Sequence, residues 1–201
     1  MIWLEIKRIF FLGEKKEMSK EIIVKEAMKT NLAIVNPDIS ILESAKIMKK
    51  RKIGNVLVTK GELLVGILTE SDIIKKVVSE GKKPEDVKVS EVMSTPVIVI
   101  DPYVNLEEAM KTMGKCNVRR LPVIEDDELI GIITQKDISR LSPILHEISR
   151  EWYDITVRDE TFYKKQVFSG KCEDCGTLST NLKNVDGRLL CDDCADALKY
   201  E

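Results

Sequence analysis

The sequence predicts a mixed α/β (α+β) protein in which two copies of one small module pack as a pseudo-symmetric pair, followed by a separate cysteine-rich unit. Three observations predict it. Residues 24–73 laid without a gap over residues 89–138, 65 positions later, give sixteen identities, where unrelated sequences of ordinary composition give roughly three. Within each copy, short β-rich runs alternate with apolar residues at helical spacing. Beyond both copies stand two C-x-x-C pairs, the spacing of a tetrahedral metal site.

Residues 1–17 are expected to be an extension without fixed structure, because Met18 opens a run that leads straight into the first repeat and would serve as a start. Each copy then begins with a strand, 32–35 or 97–100, ended by Asn36-Pro37 or Asp101-Pro102; proline cannot donate to a ladder and keeps the preceding residue extended. Ser40 and Asn105 stand as N-caps, each with a glutamate three residues on (Glu43, Glu108) in a capping-box arrangement. Apolar Ile41, Ala45 and Met48, and Leu106, Met110 and Met113, mark one buried face of the helix that follows. Hairpins come next, 56–59 with 63–68 and 121–124 with 128–133, bending at 60–62 and 125–127. A second helix starts after Thr69 and Thr134. A single copy of this order would leave one sheet face wet, so the twin is expected to cover it, with any ligand in the cleft between them. The division predicted is an extension 1–17, a first module 18–79, a linker 80–88, a second module 89–141, a helical and aromatic connector 142–169 and a metal-bound unit 170–201.

Composition excludes several function classes. Lysine and arginine number 32 against 34 acidic residues, a formal charge of −2, so nothing advertises a polyanionic partner. No apolar run reaches the length of a membrane span, and the apolar opening 1–13 is interrupted by Glu5, Lys7 and Arg8. A cytoplasmic protein is expected. No nucleophile elbow, Walker loop or paired-carboxylate spacing is present, and the single histidine, His146, falls in a predicted helix over 143–152. The expectation is a non-enzyme in which Cys116 is a small buried residue.

Each copy closes on the same motif, GILTESD over 66–72 and GIITQKD over 131–137. With the order of elements and the matched Pro37/Pro102, Met28/Met93 and Gly66/Gly131, it resembles the cystathionine β-synthase (CBS) domain, and the tandem over about 24–141 resembles the CBS pair, or Bateman module. A carboxylate accepts two hydrogen bonds at once, which suits the vicinal hydroxyls of a ribose, and a threonine three residues earlier can reach the sugar or first phosphate. In CBS pairs that bind adenine nucleotides or related adenosyl compounds these positions do that work, so the resemblance assigns it to Thr69, Asp72, Thr134 and Asp137. It also implies a base lying near Ile34 and Asn36, or Val99 and Asp101, and a homodimer. Before the second strand the second copy has Arg119 and Arg120 where the first has Gly54 and Asn55. A basic residue here faces phosphates in nucleotide-binding members, so the site using Arg120 and Asp137 is expected to prefer a phosphorylated ligand. Thr-x-x-Asp at a helix start is equally a capping box, and Gly66 and Gly131 are expected to admit a neighbouring backbone. The reading is a regulatory sensor of ATP, ADP, AMP or S-adenosylmethionine; the alternative is a constitutive protein–protein scaffold with no nucleotide ligand.

Cys172 and Cys175 are separated from Cys191 and Cys194 by fifteen residues, with Gly176 where a tight turn is wanted. The pattern resembles a zinc ribbon, with zinc the expected metal and iron in a rubredoxin-like site the competitor. About thirty residues cannot bury enough apolar surface to fold unaided, so the metal supplies folding free energy, on the order of 10 kcal/mol. Residues 172–201 carry seven acidic and three basic side chains, a balance of −4, which repels nucleic acid and points to a protein partner or self-association. Leu182, Leu189 and Leu190 are expected in the ribbon core, and Trp152, Tyr153, Phe162, Tyr163 and Phe168 to pack the connector onto its neighbours.

Overall fold

A computed structural model of the chain describes residues 21–141 and 166–198. The first repeat runs α1 (Val24–Ala27), β1 (Ile34–Val35), α2 (Ile41–Arg51), β2 (Asn55–Lys60), β3 (Leu63–Thr69) and α3 (Glu70–Ile73), which continues as a π-helical turn over Ile74–Val78. The second runs α4 (Val89–Val92), β4 (Val97–Ile98), α5 (Leu106–Lys115), β5 (Arg120–Glu125), β6 (Glu128–Thr134) and α6 (Gln135–Leu141). The strand, helix, hairpin, helix order is as the repeat predicts. In the first repeat β1 lies parallel to β2 and β2 antiparallel to β3. In the second, β5 and β6 form the same hairpin, and Ile100 bridges Val123 in parallel. The β5–β6 bend places Asp126 and Asp127 at φ 49° and 66°, the left-handed backbone that a two-residue hairpin turn needs and that aspartate tolerates.

The two expected capping boxes differ. At Ser40 the box is closed: the Glu43 N–H donates to Ser40 Oγ at 3.2 Å and the Ser40 N–H to Glu43 Oε2 at 3.0 Å. At Asn105 only half of it forms, with Asn105 Oδ1 accepting from the Glu108 N–H at 2.9 Å. The chain just before α1 lies across this helix start instead: Ile23 bridges Asn105, and the Leu106 N–H donates to Ile22 O at 3.1 Å. Glu108 is thereby left to face a cavity.

The leading segments of the two repeats are exchanged. Val24, fully buried, sits in the second repeat's core with Leu106, Ala109 and Leu121, held there by hydrogen bonds from the Val24 and Lys25 N–H groups to Val104 O and Pro102 O, both 2.8 Å. Its counterpart Val89 is buried in the first repeat's core with Ile41, Val56 and Leu68, and the Val89 and Ser90 N–H groups donate to Ile39 O and Pro37 O at 2.9 Å each. Lys25 adds an exposed pair to Glu125 at 2.7 Å, with Tyr103 beneath it.

The repeated glycines and methionines are partners across this exchange. A Cβ on Gly66 would lie 2.3 Å from Met93 Sδ, and one on Gly131 would lie 2.4 Å from Met28 Sδ. The expected close approach therefore comes chiefly from a thioether rather than a backbone, because an unbranched, polarizable side chain fills the groove over a strand where a rigid one could not. Between the repeats Leu57, Leu64, Val97, Val99 and Ile132 form a shared core, which covers the sheet face a lone copy would expose.

The cysteine-rich unit comprises β7 (Val167–Lys171), β8 (Leu178–Val185), β9 (Arg188–Leu190) and α7 (Asp192–Ala197). It is docked as an added strand. β7 pairs antiparallel with β4, Val97 against Ser169 and Ile98 against Phe168, in a sheet ordered β4-β7-β8-β9. Ser169, fully buried, donates its hydroxyl to Leu64 O of the first repeat, and Thr180 donates to Asp127 Oδ1 of the second at 2.5 Å. Leu182 and Leu190 are fully buried in its core with Phe168 and Ala195, while Leu189 lies at the margin. The remaining connector aromatics, His146 and the helix expected over 143–152 lie outside the described residues, as does the extension 1–17.

Candidate functional site

Both motif aspartates fold back onto their own helix starts. Asp72 Oδ2 accepts from the Thr69 N–H at 3.0 Å and the Thr69 hydroxyl at 2.5 Å, and Thr69 Oγ1 accepts from the Asp72 N–H at 3.3 Å. Asp137 Oδ2 does the same with Thr134, at 3.2 and 2.5 Å. The capping box forecast from Thr-x-x-Asp is thus present in both copies. The second oxygen of each carboxylate faces the other repeat. Asp72 Oδ1 accepts from Ser94 Oγ at 3.2 Å and pairs with Lys76 at 3.2 Å; Asp137 Oδ1 pairs with Lys29 at 2.6 Å. Lys29 and Ser94 are themselves 65 positions apart, so equivalent residues of the exchanged segments close equivalent carboxylates. Sequence reading passed over both, although the register of the repeat marks them as a pair.

Partial burial pushes both aspartates up, but hydrogen bonds outweigh it: from Thr69 and Lys76 at Asp72, and from Lys29 and Thr134 at Asp137, leaving each below the usual aspartate value. A carboxyl depressed in the folded state contributes stability above its unfolded pKa and loses it as pH falls through the folded one. Denaturant titrations are therefore expected to be flat from pH 7 to about 5 and to weaken below about 4, with a shallower acid slope in Asp137→Asn.

The two basic candidates, Arg119 and Arg120, have different surroundings. Arg120 is half-buried and its pKa is lowered, by desolvation first and by Arg119 second, against Glu70 and Asp72, which raise it. The carboxylates that bear on Arg120 are thus those of the first repeat, whereas Asp137 is held by Lys29. Arg120 and Asp137 therefore make no ion pair with one another among the described residues. A polar cleft of about 490 Å³, lined by Ser71, Lys75, Asn117, Arg119 and Gln135, lies between the second helices, within the range of small-molecule sites. In the first repeat Glu70 packs on Gly54, its Oε2 2.7 Å from where a Cβ would be; Arg119 takes that glycine's place in the second.

The residues expected beside a base have the following surroundings. Asn36 and Asp101 cap turns, accepting from the Asp38 and Tyr103 N–H groups at 2.9 and 2.7 Å. Ile34 is half exposed, whereas Val99 is buried and donates its N–H to Val167 O at 3.3 Å. Val99 and Asp101 line a second cavity against the ribbon, not the inter-repeat cleft.

At the other site the four cysteines meet. The sulfurs of Cys172, Cys175, Cys191 and Cys194 all lie within 4.8 Å of one another, with Cys175 and Cys191 3.7 Å apart; a zinc tetrahedron with bonds of about 2.3 Å has edges of about 3.8 Å. Gly176 turns the first knuckle at φ 73° while its N–H donates to Cys172 O at 3.1 Å, and the Cys191 N–H points at Cys172 Sγ at 3.4 Å. Burial pushes the Cys172 thiol up, but N–H donors of Cys191, Cys175 and Asp174 bring it down to about 6. Cys194 is pushed up to about 12 by the sulfurs of Cys191 and Cys175. Four crowded sulfurs cannot all ionise without a cation among them, so the donor set fits a divalent metal. Lys183 and Arg188 are paired with Asp192 and Asp174, and Glu173, Asp186 and Asp193 are exposed.

A model of the CBS domain matches residues 24–79 and 89–143. The uncharacterized protein MJ0653 of Methanocaldococcus jannaschii is 38% identical over 183 residues, covering 88% of this chain and 94% of that protein. The uncharacterized protein MK0525 of Methanopyrus kandleri is 32% identical over 188 residues, 87% of this chain and 91% of that one. Both matches exceed the repeats and so take in part of the ribbon. Among solved structures, the CBS domain pair of protein MJ0100 in complex with 5′-methylthioadenosine and S-adenosyl-L-methionine aligns with a TM-score of 0.55 and 32% identity, over 60% of this chain and 95% of that one. The four-cysteine unit is compatible with a zinc ribbon.

Proposed function

We propose that this chain, which belongs to the CBS-domain family, is a non-enzymatic regulatory protein whose paired repeats bind an adenosine-containing ligand. The single observation that carries the reading is the open cleft between the repeats, with Lys75 and Arg119 on its wall and Arg120 beside it. Guanidinium groups clamp phosphate oxygens in bidentate fashion, so the phosphates of a nucleotide belong on the Arg119 and Arg120 side. The ribose is assigned to Asp72 or Asp137, whose Oδ2 stays in the capping box while Oδ1 exchanges an exposed lysine for the sugar hydroxyls. The MJ0100 pair, crystallised with two adenosyl compounds, supports the same ligand class.

The ribbon is the output. It touches the first repeat through Ser169 and Leu64 and the second through β7 and β4, so a ligand that prefers one arrangement of the pair biases its docking. Its metal is zinc, with iron the alternative; metal analysis and the visible absorption of an iron–thiolate centre distinguish them. A homodimer in the cytoplasm is part of this reading. Exposed Ile74, Val78 and Leu141, on the second helices of both repeats, supply its apolar surface. No described helix is long and apolar enough to cross a membrane.

Calorimetric titration of the metal-loaded protein with ATP, ADP, AMP, S-adenosylmethionine and NAD tests the ligand. Saturable heat is expected. For a phosphorylated ligand Arg120→Ala weakens affinity about 10- to 100-fold, the worth of a charged hydrogen bond, and Asp72→Ala does so for all that bind. The alternative, a protein–protein scaffold, draws on the capping boxes that already engage both aspartates; silence from all five compounds would overturn the ligand reading and favour it.

A further inference from the structure

We infer that the cavity between the second repeat and the ribbon is a binding site for an extended aliphatic polyamine cation. This space, of about 430 Å³, is separate from the inter-repeat cleft. Its walls divide into two kinds. Val99, Ile100, Val104, Ile124 and Val167 supply an apolar lining, and Asp101, Glu108, Asp126 and Asp127 supply carboxylates, with no cationic side chain among the described lining residues. None of these four carboxylates takes part in an ion pair among the described residues. Asp127 accepts from Thr180 and Asp101 from the Tyr103 N–H, bonds that orient one oxygen of each and leave its charge uncompensated.

A second observation is independent of the charges. Thr112, one turn beyond Glu108 on α5, lines the same cavity and is only 4% exposed, yet its hydroxyl makes no hydrogen bond to a described residue. A buried polar group without a partner is costly and marks the place of an absent one.

The form of the ligand follows from spacing. Metal ions need their ligand atoms gathered in one sphere, and among the described residues only the four cysteines are so gathered; the carboxylates here are dispersed. Dispersed anions around an apolar lining fit amines separated by methylene chains, the amines on the carboxylates and Thr112 Oγ1, the methylenes on the valines and isoleucines. Phosphorylated compounds are repelled. Gln166, Val167, Thr180 and Asn181 of the ribbon close one side, so the site belongs to the metal-loaded, docked state.

Spermidine titrated into the full-length metal-loaded chain tests this. Saturable binding of one molecule per chain is expected, weakened at least tenfold by Glu108→Gln with Asp126→Asn and about threefold to tenfold by Thr112→Val, with metal content and circular dichroism unchanged. Asp101→Asn, which keeps its turn-capping oxygen, serves as a further variant should the double one fail to fold. No saturable heat, equal heat from magnesium at matched charge, or binding indifferent to these substitutions overturns the assignment. A trilysine peptide binding where spermidine does not would also overturn it, in favour of a basic protein segment.

Discussion

Chelating the metal, or replacing Cys172 by Ser, is expected to unfold the ribbon and strip β7 from β4 while the two repeats stay folded. The unit's core is four buried apolar side chains and a buried cysteine, far short of what offsets the chain entropy of some thirty residues. A closed thiolate shell supplies on the order of 10 kcal/mol in comparable small sites. Without it four crowded sulfurs, with the Cys194 thiol pushed up to about 12 by those of Cys191 and Cys175, have no reason to converge. Hydrogen exchange reads the result locally. Amides of 167–171 and 178–190 should lose protection on chelation, and those of the β2–β3 and β5–β6 hairpins should keep theirs, because the shared core of Leu57, Leu64, Val97 and Ile132 does not depend on the ribbon. Unchanged protection across β7 and β8 after metal removal would contradict the assignment of the metal as the ribbon's main support.

Substituting both repeat glycines, Gly66→Ala with Gly131→Ala, is expected to destabilise the pair by about 2–6 kcal/mol. Each new Cβ would fall within 2.4 Å of a methionine sulfur and within 3.1 Å of its Cγ, and forcing an extra carbon into a packed site costs about 1–3 kcal/mol. The two glycines face different methionines in different cores, so their effects should add. Shortening the opposing side chain separates the intended cause from loss of glycine itself: Met93→Ala should couple with Gly66→Ala, the double variant being less damaged than the sum of the singles, and should not couple with Gly131→Ala. Denaturant midpoints at constant slope give these energies. Strict additivity of Gly66→Ala and Met93→Ala would show that the contact across the exchange is not what the glycine serves.

Much of this could be read beforehand because it is local. Ser40 with Glu43 and Thr69 with Asp72 set helix starts through bonds spanning three residues, and hairpin bends and cysteine knuckles lie within a few residues of their causes. The site was less legible. The acids whose charge bears on Arg120 are Glu70 and Asp72 of the other repeat, and Val99 and Asp101 line the cavity against the ribbon. The neighbours of Val99 and Asp101 depend on where the ribbon docks; those of Asp72 and Asp137 depend on which copy a leading segment packs against, and a repeat is by nature ambiguous on that point. Val24 and Val89 are the same residue in the same context, and either core could accept either one.

The sequence by itself determined the duplicated α/β module, its elements, the capping boxes at Ser40, Thr69 and Thr134 and the cluster of four cysteines, since each rests on short-range geometry or on side-chain chemistry at fixed spacing. Tertiary structure alone decided the exchange of leading segments, the thioether over each glycine, the strand by which the ribbon joins β4 and the acidic cavity beside this junction. Those features arise where surfaces far apart in the chain compete to cover one another's apolar faces, and that competition is resolved by shape rather than by pattern.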